Sequence, residues 1–421
     1  MGKLLRNLRY YLARITYKVM GLNIKYYLKI VDQYWSMNEE ARHEILNQEL
    51  ISKANQENLT NNILRLEDIR SFPVMGKEAF SKRDLSSRRF LRMGFSRHTS
   101  GTTGKPTFIT LSNDELERML AVREYCFNHH GISLGLREAR IWGRGNSDIK
   151  GKLKNFLLNR KLFTPEGECS HQVVKRLIAS CPDYVYGYSS LVIEASKALS
   201  ELRLIPKGIK CVICTAENIT PFQKAMVSEA FNCPVLEEYG STEFDVMAFE
   251  CRMGHRHLVN PWLVIEESDD GCLVTDISRS SQRLVRYKLG DIIKLQSANC
   301  GIFGSKTVIT EIEGRSVNQF VFSKNGGRFH SVEFAYILDS YLRERNENFC
   351  FQIIQEKAGK VLITTDPSPK LGTEDLCIYL KKALYDKVNL EIDAEYIFDL
   401  DENIVANKKS YFIQRLAQKN D

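Results

Sequence analysis

Between residues 139 and 231 short apolar runs alternate with windows of helical periodicity, a pattern that a sheet covered by helices satisfies and few other architectures do. The runs are Ala139-Arg140-Ile141-Trp142, Tyr184-Val185-Tyr186 and Cys211-Val212-Ile213-Cys214. They are shorter than stable helices and rich in β-branched and aromatic side chains, which pack well on a pleated surface. Helix windows at 112–130, 171–180, 189–203 and 220–231 lie around and between them. The expected class is therefore α/β. Residues 272–276 and 283–295 read as antiparallel strands joined by a polar turn, and residues 1–70, poor in Gly and Pro, as mostly helical.

A chain of 421 residues is too long for a single core. The last hundred residues read as a separate α+β unit, with strands at 319–323, 349–356, 360–365 and 393–398 and helices at 331–345 and 373–388. That order is β-α-β-β-α-β, a split βαβ arrangement, and it puts a boundary near Gly314.

The strongest local signal is His98-Thr99-Ser100-Gly101-Thr102-Thr103-Gly104-Lys105-Pro106-Thr107. Hydroxyl groups and backbone N–H groups close readily on phosphate oxygens, and glycine lets the backbone approach them. It is not a Walker A loop, because Thr99 and Pro106 stand where that pattern needs Gly and Ser or Thr.

Ser100 to Pro106 resembles the phosphate loop of the adenylate-forming superfamily, which includes acyl-CoA synthetases and peptide-synthetase adenylation domains. Glu238-Tyr239-Gly240-Ser241-Thr242-Glu243 resembles its aromatic-Gly-x-Thr-Glu motif, and Arg286-Tyr287-Lys288-Leu289-Gly290-Asp291 its Tyr-Arg-x-Gly-Asp motif. Gly314-Arg315 matches the start of its interdomain hinge, and Asn407-Lys408-Lys409 stands where a Gly-Lys carries the catalytic lysine. Pro73 to Lys77 and Val285 to Asp291 narrow the resemblance to the phenylacetate–CoA ligase and CapK-like branch.

The resemblance implies a large, multi-sheet N-terminal domain over 1–313, a hinge at 314–318 and a small C-terminal α+β lid over 319–421. It implies an AMP-forming ligase that uses ATP and Mg²⁺ to activate a small carboxylate. The acyl group then passes to CoA, or, in a surface-polysaccharide setting, to a sugar or an amine. Adenylyl transfer to a hydroxyl and a non-catalytic nucleotide-binding scaffold are the alternatives. By the same resemblance Ser100, Gly101, Thr102, Thr103, Gly104 and Lys105 cradle the phosphates. Ala216 and Glu217 meet the adenine edge, while Tyr239, Gly240 and Ser241 form its platform. Thr242 donates to the α-phosphate, Glu243 holds Mg²⁺, and Asp291 and Arg315 take the ribose. Lys408 bridges carboxylate and phosphate, an ammonium being suited to two anions; Lys409 is the neighbouring register. Tyr186, Tyr188, Trp142 and Arg144 are candidates for the acid pocket.

Some members of the branch hold a structural zinc through a Cys-x5-His element and a later Cys-x-Cys. Cys251 and His257 match the first and Cys300 the end of the second, but Ala298 replaces the other cysteine. The resemblance leaves open a lost site or one completed by His255.

The net charge of +7 is concentrated at one end. Lys3, Arg6, Arg9, Arg14, Lys18, Lys25 and Lys29 equal the whole excess, and residues 1–31 contain no acid. The remainder is neutral, which argues against a specific nucleic-acid partner. Leu5, Leu8, Leu12, Ile15 and Val19 form an apolar stripe at helical spacing. It fits a helix on anionic lipid or one packed on its own domain with a solvated basic side, and the second is the expectation. No apolar run reaches membrane-spanning length. The 11 scattered cysteines fit mostly buried thiols in a reducing cytoplasm. The expected location is thus cytoplasmic, with a peripheral place on the inner face of the membrane as the variant.

Overall fold

The computed structural model describes residues 2–56, 66–76, 95–98, 108–143, 149–164, 170–217, 219, 221–268, 271–313, 320–345, 347, 349–366, 368–398 and 412–416. The N-terminal part is helical as composition suggests, with α1 (Gly2–Val19), α2 (Ile24–Ser36) and α3 (Glu39–Gln56). Helix α1 leaves Leu8, Ile15 and Val19 of its apolar stripe exposed. It buries Ala13 and Tyr17 instead, and Arg14 Nη1 donates to Glu124 Oε1 at 2.6 Å.

The hairpin of β1 (Phe95–His98) and β2 (Phe108–Leu111) follows, then α4 (Asn113–His129), β3 (Glu138–Ile141), α5 (Ile149–Leu157), β4 (Arg160–Phe163) and α6 (Ser170–Ala179). Next come β5 (Tyr184–Tyr188), α7 (Ser189–Glu201), β6 (Val212–Thr215), α8 (Pro221–Phe231), β7 (Val235–Ser241), β8 (Asp245–Glu250) and β9 (Arg256–Leu258). The strands β10 (Leu263–Glu266), β11 (Leu273–Asp276), β12 (Tyr287–Lys288), β13 (Ile292–Ser297) and β14 (Thr307–Glu313) complete this part.

Nine strands form one sheet in the order β13-β14-β9-β8-β7-β6-β5-β3-β4. From β4 to β7 they are parallel and from β7 to β13 antiparallel. The apolar runs read as strands because this sheet is covered on both faces, so both sides of the pleat are apolar. Tyr184, Tyr186, Ile213 and Leu236 join one core with Val31 and Val122 of α2 and α4. Val185, Val212, Cys214 and Val235 join the other with Val174, Leu199 and Val227 of α6, α7 and α8. Cys211 and Cys214 have Cys-x-x-Cys spacing, yet they belong to opposite cores, and burial pushes both thiols up to about 12. They are inert structural thiols.

Two expectations are corrected. The strand read over 283–295 is two strands in different sheets: β12 pairs with β11, whereas β13 pairs with β14. Gly290, at φ 94°, turns the chain between them in a region that glycine enters freely. Near the C-terminus, β15 (Phe320–Phe322) does not enter the main sheet; it closes a hairpin with β16 (Arg328–His330) across Gly326-Gly327. The sheet of this part runs β19-β18-β17-β20, from β17 (Cys350–Lys357), β18 (Lys360–Asp366), β19 (Asp393–Tyr396) and β20 (Phe412–Gln414). The late strand β20 pairs parallel with β17. Helices α9 (Val332–Glu344) and α10 (Thr373–Val388) bury Phe334, Leu338, Leu380 and Leu384 in its core. The hinge expected at 314–318 lies outside the described residues. Among the described residues no helix is long and apolar enough to cross a membrane.

Candidate active site

Strands β6 and β7 end side by side, and β7 runs directly into the segment Tyr239 to Glu243. Ligands of parallel sheets bind at such carboxyl ends. The turn that follows is tight. A Cβ on Gly240 would come within 2.0 Å of the Asp245 carbonyl oxygen, so only glycine fits beside the β7–β8 register shift.

The predicted residues of this motif and of the later one converge. Tyr239 is buried, and its hydroxyl donates to Asp291 Oδ2 at 3.0 Å. Burial, followed by the negative charge of Asp291, raises the Tyr239 phenol well above its ordinary range, so it stays a donor. Glu243 is 3% exposed and accepts the Tyr287 hydroxyl on Oε1 at 3.0 Å. Thr242 is half-buried between them. Tyr239 and Tyr287 share one core with Phe244 and Leu289, so both carboxylates are carried by tyrosines set in the same apolar base.

A third group was not visible in the sequence. The polar turn after β11 is buried: Arg279 is 0% and Gln282 7% exposed. Arg279 Nη2 donates to the Glu243 carbonyl at 2.6 Å. Gln282 Oε1 accepts from the Thr110 backbone at 3.0 Å, and the Ser281 hydroxyl donates to the Thr110 carbonyl at 2.7 Å. This turn therefore ties the foot of the β1–β2 hairpin, whose strands flank the Ser100–Lys105 segment, to the Glu243 motif. Glu115 anchors the turn. It forms a capping box with Ser112 at the start of α4 and accepts from the Ser280 and Ser281 backbones, both at 2.8 Å. Burial alone would raise its pKa, but the hydrogen bonds from Ser281, Ser112 and Ser280 outweigh it and hold the carboxyl below its usual value. Its contribution is complete above the ordinary glutamate pKa of about 4.3 and fades as pH falls through the lower folded value. Glu115→Ala is expected to cost about 3 kcal/mol at neutral pH, because it strands several buried donors. The difference from the parent should shrink in urea melts at acid pH.

Other predicted residues make contacts of their own. Glu217 caps α7: its carboxylate accepts from the Ser190 N–H at 2.7 Å and its carbonyl from the Ser189 hydroxyl at 2.7 Å. The helix has no side-chain cap of its own, so Glu217 supplies one from the β6 end. Ala216 stands exposed in the left-handed region, at φ 68°. Arg286 turns outward to the carbonyls of Arg70 and Phe72. Trp142 stacks with Tyr186 at 5.9 Å and lies 4.0 Å from Tyr188, giving an aromatic wall at the ends of β3 and β5. The Tyr186 hydroxyl is committed to Glu238 at 2.6 Å. Ser100 to Lys105, Arg144, Arg315, Lys408 and Lys409 lie outside the described residues.

The metal candidates do assemble. Donor atoms of Cys251, His255, His257 and Cys300 all lie within 4.8 Å of one another. The two thiols are 3.7 Å apart, against roughly 3.3–3.8 Å between donors around a tetrahedral zinc with ordinary Zn–N and Zn–S bonds. His257 Nδ1 hydrogen-bonds the Ser305 carbonyl at 2.7 Å, while its buried Nε2 has no hydrogen-bond partner among the described residues. That is the tautomer in which Nε2 keeps its lone pair for a metal. The Met253 N–H points at Cys251 Sγ at 3.4 Å.

The fold is similar to that of a solved structure of 2-hydroxyisobutyryl-CoA ligase in complex with 2-HIB-AMP and CoA in the thioesterification state, with TM-score 0.57 and 17% identity over 90% of this chain and 91% of that one. By sequence, Protein CapK of Staphylococcus aureus is 24% identical over 328 residues, 70% of this chain and 67% of that protein. Both agree with the resemblance carried by the motifs. No family model matches the chain.

Proposed function

We propose that the protein activates a small carboxylate with ATP, forming an acyl-adenylate and releasing pyrophosphate, and then passes the acyl group to an acceptor. The observation that carries this reading is the joined group of Tyr239, Asp291, Glu243 and Tyr287 at the carboxyl end of a parallel strand. A flat ring beside an acceptor-only carboxylate suits a nucleoside, whose ribose offers two hydroxyl donors. A second carboxylate, buried in the same base, suits Mg²⁺ bridging phosphates. The phosphate segment 100–105, Arg315 and the Lys408 ammonium complete the set on the strength of the resemblance. The acid lies against the wall of Trp142 and Tyr188.

The acceptor is CoA, a sugar or an amine. The fold likeness to a CoA ligase supports the first, and the sequence likeness to Protein CapK supports an acceptor in surface-polysaccharide assembly. A cavity of about 630 Å³ between α7 and the β15–β16 hairpin, lined by Ile141, Glu194, Phe320, Arg328 and Leu390, is large enough for a small-molecule arm. The reading is tested by ATP–pyrophosphate exchange over a panel of carboxylic acids. One acid should stimulate exchange by at least about tenfold, a difference of about 1.4 kcal/mol in barrier. Turnover of ATP that no acid stimulates sinks it in favour of adenylyl transfer to a hydroxyl.

We also propose that Cys251, His255, His257 and Cys300 hold a structural zinc. Two thiolates and two imidazoles make a closed tetrahedral set with no position for substrate. The metal would clamp the β8–β9 turn to the loop before β14, which pairs with β9 through Val308 and His257.

A further inference from the structure

Three residues of the apolar stripe of α1 stand in solvent. Leu8 is 68%, Ile15 56% and Val19 79% exposed, with Tyr11 beside them. Helix α5 shows a second row at helical spacing, Ile149, Leu153 and Phe156, of which Ile149 is 84% exposed. The helices adjoin: the Arg9 guanidinium donates to the Phe156 carbonyl at 2.9 Å and sits 4.2 Å over the Phe156 ring. Exposed Lys18 flanks the first row, and exposed Lys152 and Lys154 flank the second. In sequence, residues 1–31 contain no acid, and residues 149–161 contain Lys150, Lys152, Lys154 and Lys161 and no acid, while Arg160 pairs with the buried Glu138.

We propose that α1 and α5 together form a docking surface for an anionic lipid bilayer. The charge decides the occupant. A second copy of the chain would set cations against cations, whereas an anionic membrane accepts both the apolar rows and their lysine borders. Ordinary monomer surfaces scatter apolar side chains singly, and two adjoining rows are an interaction surface. The helices lie on the membrane, apolar rows in the acyl boundary and ammonium groups among phosphates. This surface uses none of the residues of the proposed active site, so its test stands apart from that reading.

The full chain is sedimented with vesicles of equal parts phosphatidylglycerol and phosphatidylcholine, and with phosphatidylcholine alone. Binding to the anionic vesicles is expected to exceed that to the neutral ones by about tenfold, and to fall as far when salt rises to about 0.5 M. The triple variant L8E/I15E/L153E should lose binding with its melting temperature unchanged, since all three side chains are exposed. If it misfolds, the exposed charge reversals Lys18→Glu and Lys152→Glu provide the same readout. Binding that survives both sets of changes, absence of binding by the parent, or equal binding to neutral vesicles overturns the proposal. So does a dimer of the parent chain that the triple variant abolishes, which would make the face a contact between copies.

Discussion

Glu243→Gln is expected to lower acid-dependent pyrophosphate exchange by about 10³-fold, equivalent to roughly 4 kcal/mol of barrier. The substitution is chosen for what it keeps. A glutamine side chain retains the oxygen that accepts the Tyr287 hydroxyl, and the Arg279 bond goes to the backbone carbonyl, which the change does not touch. Only the negative charge is lost. In the proposed reaction that charge holds Mg²⁺ against the phosphates, and neutral oxygen is a much weaker ligand for a hard cation. Thermal unfolding should therefore move by no more than about 1 kcal/mol, well below the effect of removing a buried partner outright. Exchange within threefold of the parent would remove Glu243 from the metal site. In the same assay Lys408→Ala should be as damaging and Lys409→Ala mild; the opposite order moves the catalytic role by one residue.

Removing the proposed zinc should, by contrast, act chiefly on stability. The purified protein is expected to carry one zinc per chain by elemental analysis. Cys251→Ser should release it and lower the melting temperature by about 10 °C, since metal binding free energy in a structural site is folding free energy. Chelation at neutral pH should shift the parent in the same direction and leave the variant where it is. The His255→Ala variant is informative in its own right, because with Ala298 in place of a cysteine this imidazole is the fourth donor of the cluster among the described residues. Full zinc occupancy in Cys251→Ser, or a parent chain purified without zinc whose melting a chelator does not change, would end the assignment.

The α/β class was legible because strands buried on both faces leave unbroken apolar runs, and β3, β5 and β6 fall on the three runs read from sequence. Tyr239, Glu243 and Asp291 were named by motif, and the tyrosine hydroxyls that hold the two carboxylates became visible only in the folded chain. Arg279 and Gln282 were missed. A stretch of Arg, Ser and Gln between two strands reads as a solvated turn, and nothing local says that its side chains point inward to the β1–β2 hairpin. Glu217 was expected at the adenine edge, and nothing local in its sequence says that its carboxylate also closes the start of α7. The four zinc candidates come from two stretches far apart in sequence, and periodicity has no means of measuring the distance between them.

The amphipathic period of α1 is a property of its own residues, so the existence of that stripe was settled by the chain alone. Which face turns inward was not. Packing is decided by the partner surface, and the loop at Gly135 lies close against the Ala13 side chain and Tyr10. The same division holds throughout. Local order determined where strands, helices and the glycine-rich segments fall, because backbone preference and hydrophobic period act within a few residues. The placement of one acid against a tyrosine, one turn beneath a hairpin, or one stripe in water depended on surfaces 44 to 172 residues apart, and the folded chain alone brings those together.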